Sequence, residues 1–222
     1  MPLNKQQGNM YPWVTHTLNI IRGRCAHQCK YCFMKRFATN DLCIVESEFK
    51  TRLGIGNTIF VGSSTDMWAD NVPYLWIKRV LEHCRKYPDN TYLFQTKNPK
   101  IYHAHNNPFE KFPDNTILGV TIETNRSTEA ISKAPIPIDR AKNMALLIFE
   151  KFVSIEPILD FDLDIFVELI KMIRPNFVSI GADSKGHKLS EPGPDKVLSL
   201  IESLKKFTEI RVKSNLQRIV GL

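Results

Sequence analysis

Three of the five cysteines fall within eight positions, in the run RCAHQCKYCF: Cys25, Cys29 and Cys32, a C-x3-C-x2-C arrangement. Thiolates this close can take three corners of a cubane iron–sulfur cluster, and three protein ligands leave one iron open to an outside molecule. A structural zinc site closes with four ligands, usually from two separated pairs. No second pair exists here, His27 sits too near its neighbours to complete a tetrahedron easily, and Cys43 is the remaining candidate for a fourth thiolate. A four-cysteine metal site and unliganded core cysteines therefore stay open beside the cluster. An odd number of cysteines disfavours a disulfide framework and suits a reducing compartment. Cys84, beside Val80 and Leu81, reads as a small buried hydrophobe.

The elements that must position this loop are legible as short β-branched or aromatic runs, each followed by a longer stretch of helical period. Strands are expected at Thr17–Ile21, Thr58–Ser64, Thr91–Lys97, Ile117–Glu123, Phe152–Ile158 and Asn176–Asp183. Helices are expected around Pro73–Tyr87, Asp139–Glu150, Asp162–Ile173 and Pro194–Lys206, with shorter ones near Phe37–Arg52 and Pro99–His105. Pro73 and Pro194 suit a first turn, and Asp162 and Asp164 can cap or charge the start of their helix. Six strand–helix units in 222 residues predict an α/β fold: a mostly parallel sheet curled into a partial (β/α)6 barrel, since an eight-unit barrel takes about 250 residues. One domain is expected over 1–222, with an N-terminal extension (1–15), a barrel core (16–206) and a C-terminal extension (207–222) in which Glu209–Leu222 adds a strand or a plug.

Side chains two apart on a strand share a face. Thr17 and Asn19, Gln95 and Lys97, Thr121 and Glu123, Ser154 and Glu156, and Ser179 and Asp183 fall on one side, with Phe94, Val120, Ile122, Val153, Ile155, Val178 and Ile180 on the other. The apolar side must meet the helices, so the polar side lines the interior. Burying those groups without partners would cost about 1–3 kcal/mol each, which predicts a ligand cavity rather than a dry core, with a two-layer sheet whose polar face meets water as the alternative.

Composition excludes other classes. Hydrophobic residues at 43% and charged residues at 24% are ordinary globular values. No apolar run reaches the roughly 18 residues of a membrane span, and the opening residues lack the apolar stretch of a secretory signal, so a cytoplasmic protein without a membrane partner is expected. Thirty Lys plus Arg against 23 Asp plus Glu give a net charge of +7, which favours polyanions but also serves to offset an anionic cluster.

C-x3-C followed by Tyr31 and Cys32 resembles the signature of the radical S-adenosylmethionine (SAM) superfamily, and the layout resembles it over nearly the whole chain. The resemblance implies a [4Fe-4S] cluster on Cys25, Cys29 and Cys32. Its open iron would chelate SAM, and reductive cleavage would give methionine and a 5′-deoxyadenosyl radical that abstracts hydrogen from a substrate in the barrel. It further implies Tyr31 packed beside the cluster, the Phe33 backbone at the adenine, and a turn at Gly62, Ser63 and Ser64 for the methionyl amino group. The family's glutamate is absent from that turn, where Asp66 is the nearest carboxylate. Phe94–Lys97 resembles a stretch of spore photoproduct lyase and assigns Lys97 to the methionyl carboxylate. Thr121 and Glu123 resemble the ribose contacts, although Glu123 also reads as one half of a barrel-lining salt bridge. Phe152–Ile158 resembles a small, often phage-encoded branch related to that lyase.

Candidates for a role in the reaction itself are Glu156, Asp183 and Cys43, with Lys185 and His187 as further substrate contacts. The implied partners are an external electron donor of flavodoxin or ferredoxin type and a nucleic-acid base or nucleotide. A radical-SAM enzyme acting on an amino acid, small metabolite or peptide, and a non-catalytic four-cysteine metal protein, are the alternatives. A polar barrel interior disfavours the non-catalytic alternative.

Overall fold

The computed structural model describes residues 2–8, 10–37, 40–105 and 111–221. In chain order the strands are β1 (Asn4–Lys5), β2 (His16–Leu18), β3 (Ile21–Arg22), β4 (Cys43–Ile44), β5 (Thr58–Val61), β6 (Thr91–Thr96), β7 (Thr116–Thr121), β8 (Glu150–Ile155), β9 (Phe177–Ile180) and β10 (Glu209–Val212). The helices are α1 (Tyr74–Arg85), α2 (Lys100–Ala104), α3 (Pro137–Ala145), α4 (Leu163–Ile173), α5 (Pro194–Lys205) and α6 (Gln217–Val220). No helix among the described residues is long and apolar enough to cross a membrane.

Each long helix buries one stripe at i, i+3, i+4, i+7: Ile77, Val80, Leu81 and Cys84 on α1; Phe166, Leu169, Ile170 and Ile173 on α4; Val197, Leu200, Ile201 and Leu204 on α5. These stripes meet Phe94, Val120, Ile122, Val153, Ile155, Val178 and Ile180 in the main core, the strand face predicted to be apolar. Asp162 takes the N-cap position of α4 but makes no capping bond. Its carboxylate turns instead to Arg126 and Asn125.

The main sheet runs β1-β2-β5-β6-β7-β8-β9-β10. All neighbours from β2 onward are parallel, while β1 is antiparallel to β2. This is the expected α/β partial barrel, and the C-terminal segment adds β10 beside β9 with Glu209 opposite Phe177. The helix expected around Phe37–Arg52 is not found among the described residues. Cys43 and Ile44 instead pair antiparallel with Arg22 and Ile21, and a 3₁₀ turn follows at Glu46–Lys50. Ala38 and Thr39 of that expectation lie outside the described residues. The β-branched Ile44 and Val45 suit this pairing, and Val45 N–H donates to the Ile20 carbonyl at 2.8 Å.

The inward face has two layers. Near the N-terminal strand ends Phe60, Leu93, Ile117, Phe152 and Phe177 form a second apolar cluster, filled by Tyr11 and Val14 with Trp13 packed against it. The Tyr11 ring lies 6.3 Å from Phe60 on β5 and 5.5 Å from Phe152 on β8. One ring reaches strands three places apart, about 14 Å in a flat sheet, so the sheet wraps around it. Gly119 makes room for this floor, because a Cβ there would stand 2.0 Å from the Phe152 ring. Above it the lining turns polar with Gln95, Thr121, Ser154 and Ser179.

Candidate functional site

Observed strands stop earlier than the periodicity suggested, at Leu18, Val61, Thr96, Thr121, Ile155 and Ile180. Asn19, Ser63, Lys97, Glu123, Glu156 and Asp183 therefore stand in the loops just past the C-terminal strand ends, the rim where barrel sites form.

The cysteine loop between β3 and a 3₁₀ turn (Phe33–Arg36) is held at this rim from two sides. On one side His27 Nε2 lies 2.9 Å from Asp66 Oδ2. The same carboxylate accepts from Thr96 Oγ1 and Lys97 N–H, each at 2.9 Å, and from Trp68 N–H at 3.0 Å. Burial opposes charge on Asp66, but His27 and these donors outweigh it and hold its pKa below the ordinary carboxylate value. Asp66 is thus a structural clamp between the cysteine loop and the end of β6. On the other side Lys30 N–H donates to the Ile131 carbonyl and Lys133 N–H to the His27 carbonyl, both at 2.7 Å. Ser132 Oγ lies 3.2 Å from Cys29 Sγ.

Cys29 is buried, Cys25 and Cys32 are half-buried, and Cys43 is exposed on β4. Burial pushes the Cys25 thiol up to about 12, with Asp66 adding to the shift. Cys84 is buried in α1 as expected. Phe33 is 44% exposed at the edge of the loop.

Next to the cysteines lies a buried charge network. Arg140 from α3 pairs with Glu123 Oε2 at 2.7 Å, both side chains excluded from solvent. The Tyr31 hydroxyl donates to Glu123 Oε1, and Lys97 Nζ lies 3.9 Å from that oxygen and 5.4 Å from the centre of the Tyr31 ring. Burial opposes the charge on Glu123, yet Arg140, Lys97 and Tyr31 hold its pKa below the usual value. Burial likewise opposes the charge on Lys97, and Cys29 and Glu123 outweigh it to raise its pKa. Burial, then Glu123, raises that of Tyr31.

The turn after β5 is built as expected around Gly62, which has φ +80 and where a Cβ would press to 3.2 Å on Met67 and on the Thr65 carbonyl. Asn19 fastens it through Ser63 Oγ and Ser64 N–H. Ser64 Oγ is buried with no hydrogen-bond partner among the described residues.

Deeper in the lumen Gln95 Nε2 donates to Thr121 Oγ1 at 3.0 Å, and the Tyr11 hydroxyl donates to Gln95 Oε1 at 2.9 Å with Ser154 Oγ at 2.8 Å. Glu156, whose bond to Pro157 is cis, meets Lys213 Nζ at 2.8 Å and Asn215 Nδ2 at 3.2 Å. Asp183 accepts from Lys185 N–H, His187 N–H and His187 Nδ1, so it orders its own loop.

Tyr11, Arg140, Lys213 and Asn215 were not singled out by sequence reasoning. Arg140 had a signal: with Pro137, Ala141 and Met144 it occupies the buried i, i+3, i+4, i+7 stripe of α3.

The donor set fits an iron–sulfur cluster. Three free thiols share one loop, the half-buried Lys97 ammonium feels the charge of Cys29, and a buried hydroxyl without a partner among the described residues stands in the adjoining turn. No three or more His, Cys, Asp or Glu among the described residues converge on a single-ion site. A cubane instead asks for thiolates spread over its corners.

A family model described as "Protein of unknown function (DUF5131)" matches residues 9–202. No curated protein matches. Among solved structures, a double mutant of spore photoproduct lyase with bound AdoMet and dinucleoside spore photoproduct aligns with a TM-score of 0.65 at 11% identity, over 95% of this chain and 80% of that one. The lyase complexed with dinucleoside spore photoproduct gives 0.66 at 11% identity over 93% and 78%. A further mutant of it gives 0.67 at 11% identity over 95% and 80%. At this identity the likeness establishes the fold.

Proposed function

For this chain, which belongs to the DUF5131 family, we propose a radical SAM enzyme that abstracts hydrogen from a nucleic-acid base or nucleotide in repair or modification. The observation that carries the reading is the cysteine loop, clamped at the rim of a polar lumen beside the Lys97–Glu123–Tyr31 network. Cys25, Cys29 and Cys32 would hold a [4Fe-4S] cluster. With SAM bound, such a cluster would supply the electron for reductive cleavage of the cosubstrate.

The chain's own residues bind and orient. Lys97, kept protonated by Cys29 and Glu123, faces the methionyl carboxylate as a charge-assisted donor. Ser64 Oγ, which lacks a partner among the described residues, accepts from the methionyl amino group together with the turn at Gly62 and Ser63. Thr121, already accepting from Gln95, offers its O–H to a ribose oxygen. Glu123, excluded from solvent and engaged by Arg140 and Tyr31, serves as the barrel-lining salt bridge that fixes Lys97 and Tyr31 rather than as a ribose contact. Tyr31 would pack beside the cluster, and the Phe33 backbone would meet the adenine. Glu156 contacts substrate at the lumen wall, Asp183 shapes the substrate loop, and Cys43 carries no assigned role.

The nucleic-acid assignment draws on the +7 charge and on the dinucleoside bound by the solved relatives. Lys30, Lys35 and Arg36 flank the cysteine loop with exposed Phe33 and Phe37, a surface suited to an acidic electron donor of flavodoxin or ferredoxin type.

Reconstitution with iron and sulfide under nitrogen, followed by dithionite and electron paramagnetic resonance, tests the site. A reduced-cluster signal that changes on adding SAM supports it. A signal indifferent to SAM refutes the open-iron assignment.

A further inference from the structure

Beside the rim lies a cavity of about 930 Å3 that includes Asp183, Lys185, Lys188, Glu191, Asn215 and Arg218 in its lining. Its two carboxylates are already engaged by local donors. Asp183 accepts from Lys185 N–H at 3.1 Å, from His187 N–H at 2.5 Å and from His187 Nδ1 at 2.6 Å. Glu191 accepts from Asp183 N–H at 2.9 Å and from the Arg218 guanidinium, which also donates to the Asp183 carbonyl at 2.9 Å. Among the described residues neither Lys185 nor Lys188 forms an ion pair. The wall therefore presents two ammonium groups and a guanidinium fixed by its neighbours, a set suited to an anion whose charge spreads over several oxygens. Asn215 belongs to this wall and also donates to Glu156 at 3.2 Å, so the cavity adjoins the lumen.

We propose that this cavity is a phosphate subsite, holding a phosphate of a nucleotide or of a nucleic-acid strand while the attached nucleoside extends past Asn215 toward Glu156. The inference rests on the nucleic-acid reading above and names how that substrate is gripped.

The test uses the reconstituted full chain with two probes, a fluorescein-labelled single-stranded oligonucleotide and a labelled nucleoside 5′-monophosphate, read by anisotropy across a salt series. Lys185→Ala/Lys188→Ala should weaken binding at least tenfold at low salt. On the oligonucleotide it should reduce the salt slope by about 0.7, the contribution of the one single-strand phosphate that the subsite holds. A control pair at the far end of α5, Lys205→Ala/Lys206→Ala, should leave both quantities unchanged, and circular dichroism checks that all variants fold. Lysine-dependent binding of the monophosphate assigns a free nucleotide, and lysine-dependent binding of the oligonucleotide alone assigns a strand. Absence of binding by either probe, an unchanged double variant, or equal weakening by the control pair overturns the subsite. Deoxyadenosine formation is scored separately. If it fails while lysine-dependent binding persists, the radical reading falls and the subsite stands.

Discussion

Arg140 reaches from α3 into the barrel wall to meet Glu123 at 2.7 Å, with neither side chain exposed. The guanidinium also donates to the Thr121 carbonyl at 3.0 Å and to Thr128 Oγ1 at 3.3 Å. One residue thus joins α3, the end of β7 and the loop that straps the cysteines. Removing one partner strands a buried charge, which typically costs about 3–5 kcal/mol. Arg140→Ala should lose stability of that order in urea unfolding, and Glu123→Gln/Arg140→Ala should lose less than the two single changes summed. Strict additivity would mean that the pair is not coupled.

In the proposed function Lys97 faces the methionyl carboxylate of SAM. A hydrogen bond between charged groups contributes about 1.5–3 kcal/mol, so Lys97→Met should weaken SAM binding to the reconstituted chain by roughly 10- to 150-fold. Isothermal titration calorimetry reads this directly, and an unaltered Kd would remove Lys97 from the site.

Acid should loosen the cysteine loop. Asp66 and Glu123 have pKa values held below their unfolded ones, so the unfolded chain binds more protons and stability rises with pH. Their contribution is complete above the unfolded carboxylate value of about 4 and fades as pH drops through the lower folded values. Melting temperatures measured between pH 2 and 7 should decline on the acid side, and Asp66→Asn should flatten that decline. An identical acid limb in the variant would show that Asp66 is not the group responsible.

Tyr11 ties the apolar floor to the polar lumen. Tyr11→Phe keeps the rings packed but removes the hydroxyl from Gln95 and Ser154, a loss of about 1 kcal/mol. Tyr11→Ala should cost about 3–5 kcal/mol by emptying the floor. Equal melting points for the two variants would contradict this division of roles.

The parity of the strands was readable because period-2 alternation is strict where one face meets helices: Phe94, Val120 and Val178 lie in the helix-facing core as expected. The three-cysteine motif was readable from spacing and the inward direction of Lys97, Thr121 and Glu123 from strand parity, whereas their proposed cosubstrate roles came from the family resemblance alone. Tyr11 was not, since it lies in a segment without periodicity and its role depends on contacts 84 and 143 residues away. Arg140 was hidden by its charge, which suggests a solvent face even though its helical position matches the buried stripe. Around Cys43 and Ile44 a helical pattern gave way to pairing with Ile21 and Arg22, a choice made by tertiary contact. Asp66, the carboxylate nearest the turn after β5, is taken up by His27, Thr96 and Lys97, partners that lie far off in sequence and could not be read from it.

The central claim is tested most directly by anaerobic reconstitution, reduction in the presence of SAM, and chromatography of the products. About four irons per chain and formation of 5′-deoxyadenosine are expected, with both lost when Cys25, Cys29 or Cys32 is replaced by alanine. Deoxyadenosine that persists in those variants, or a wild-type chain that holds the cluster and yields none, would contradict the account.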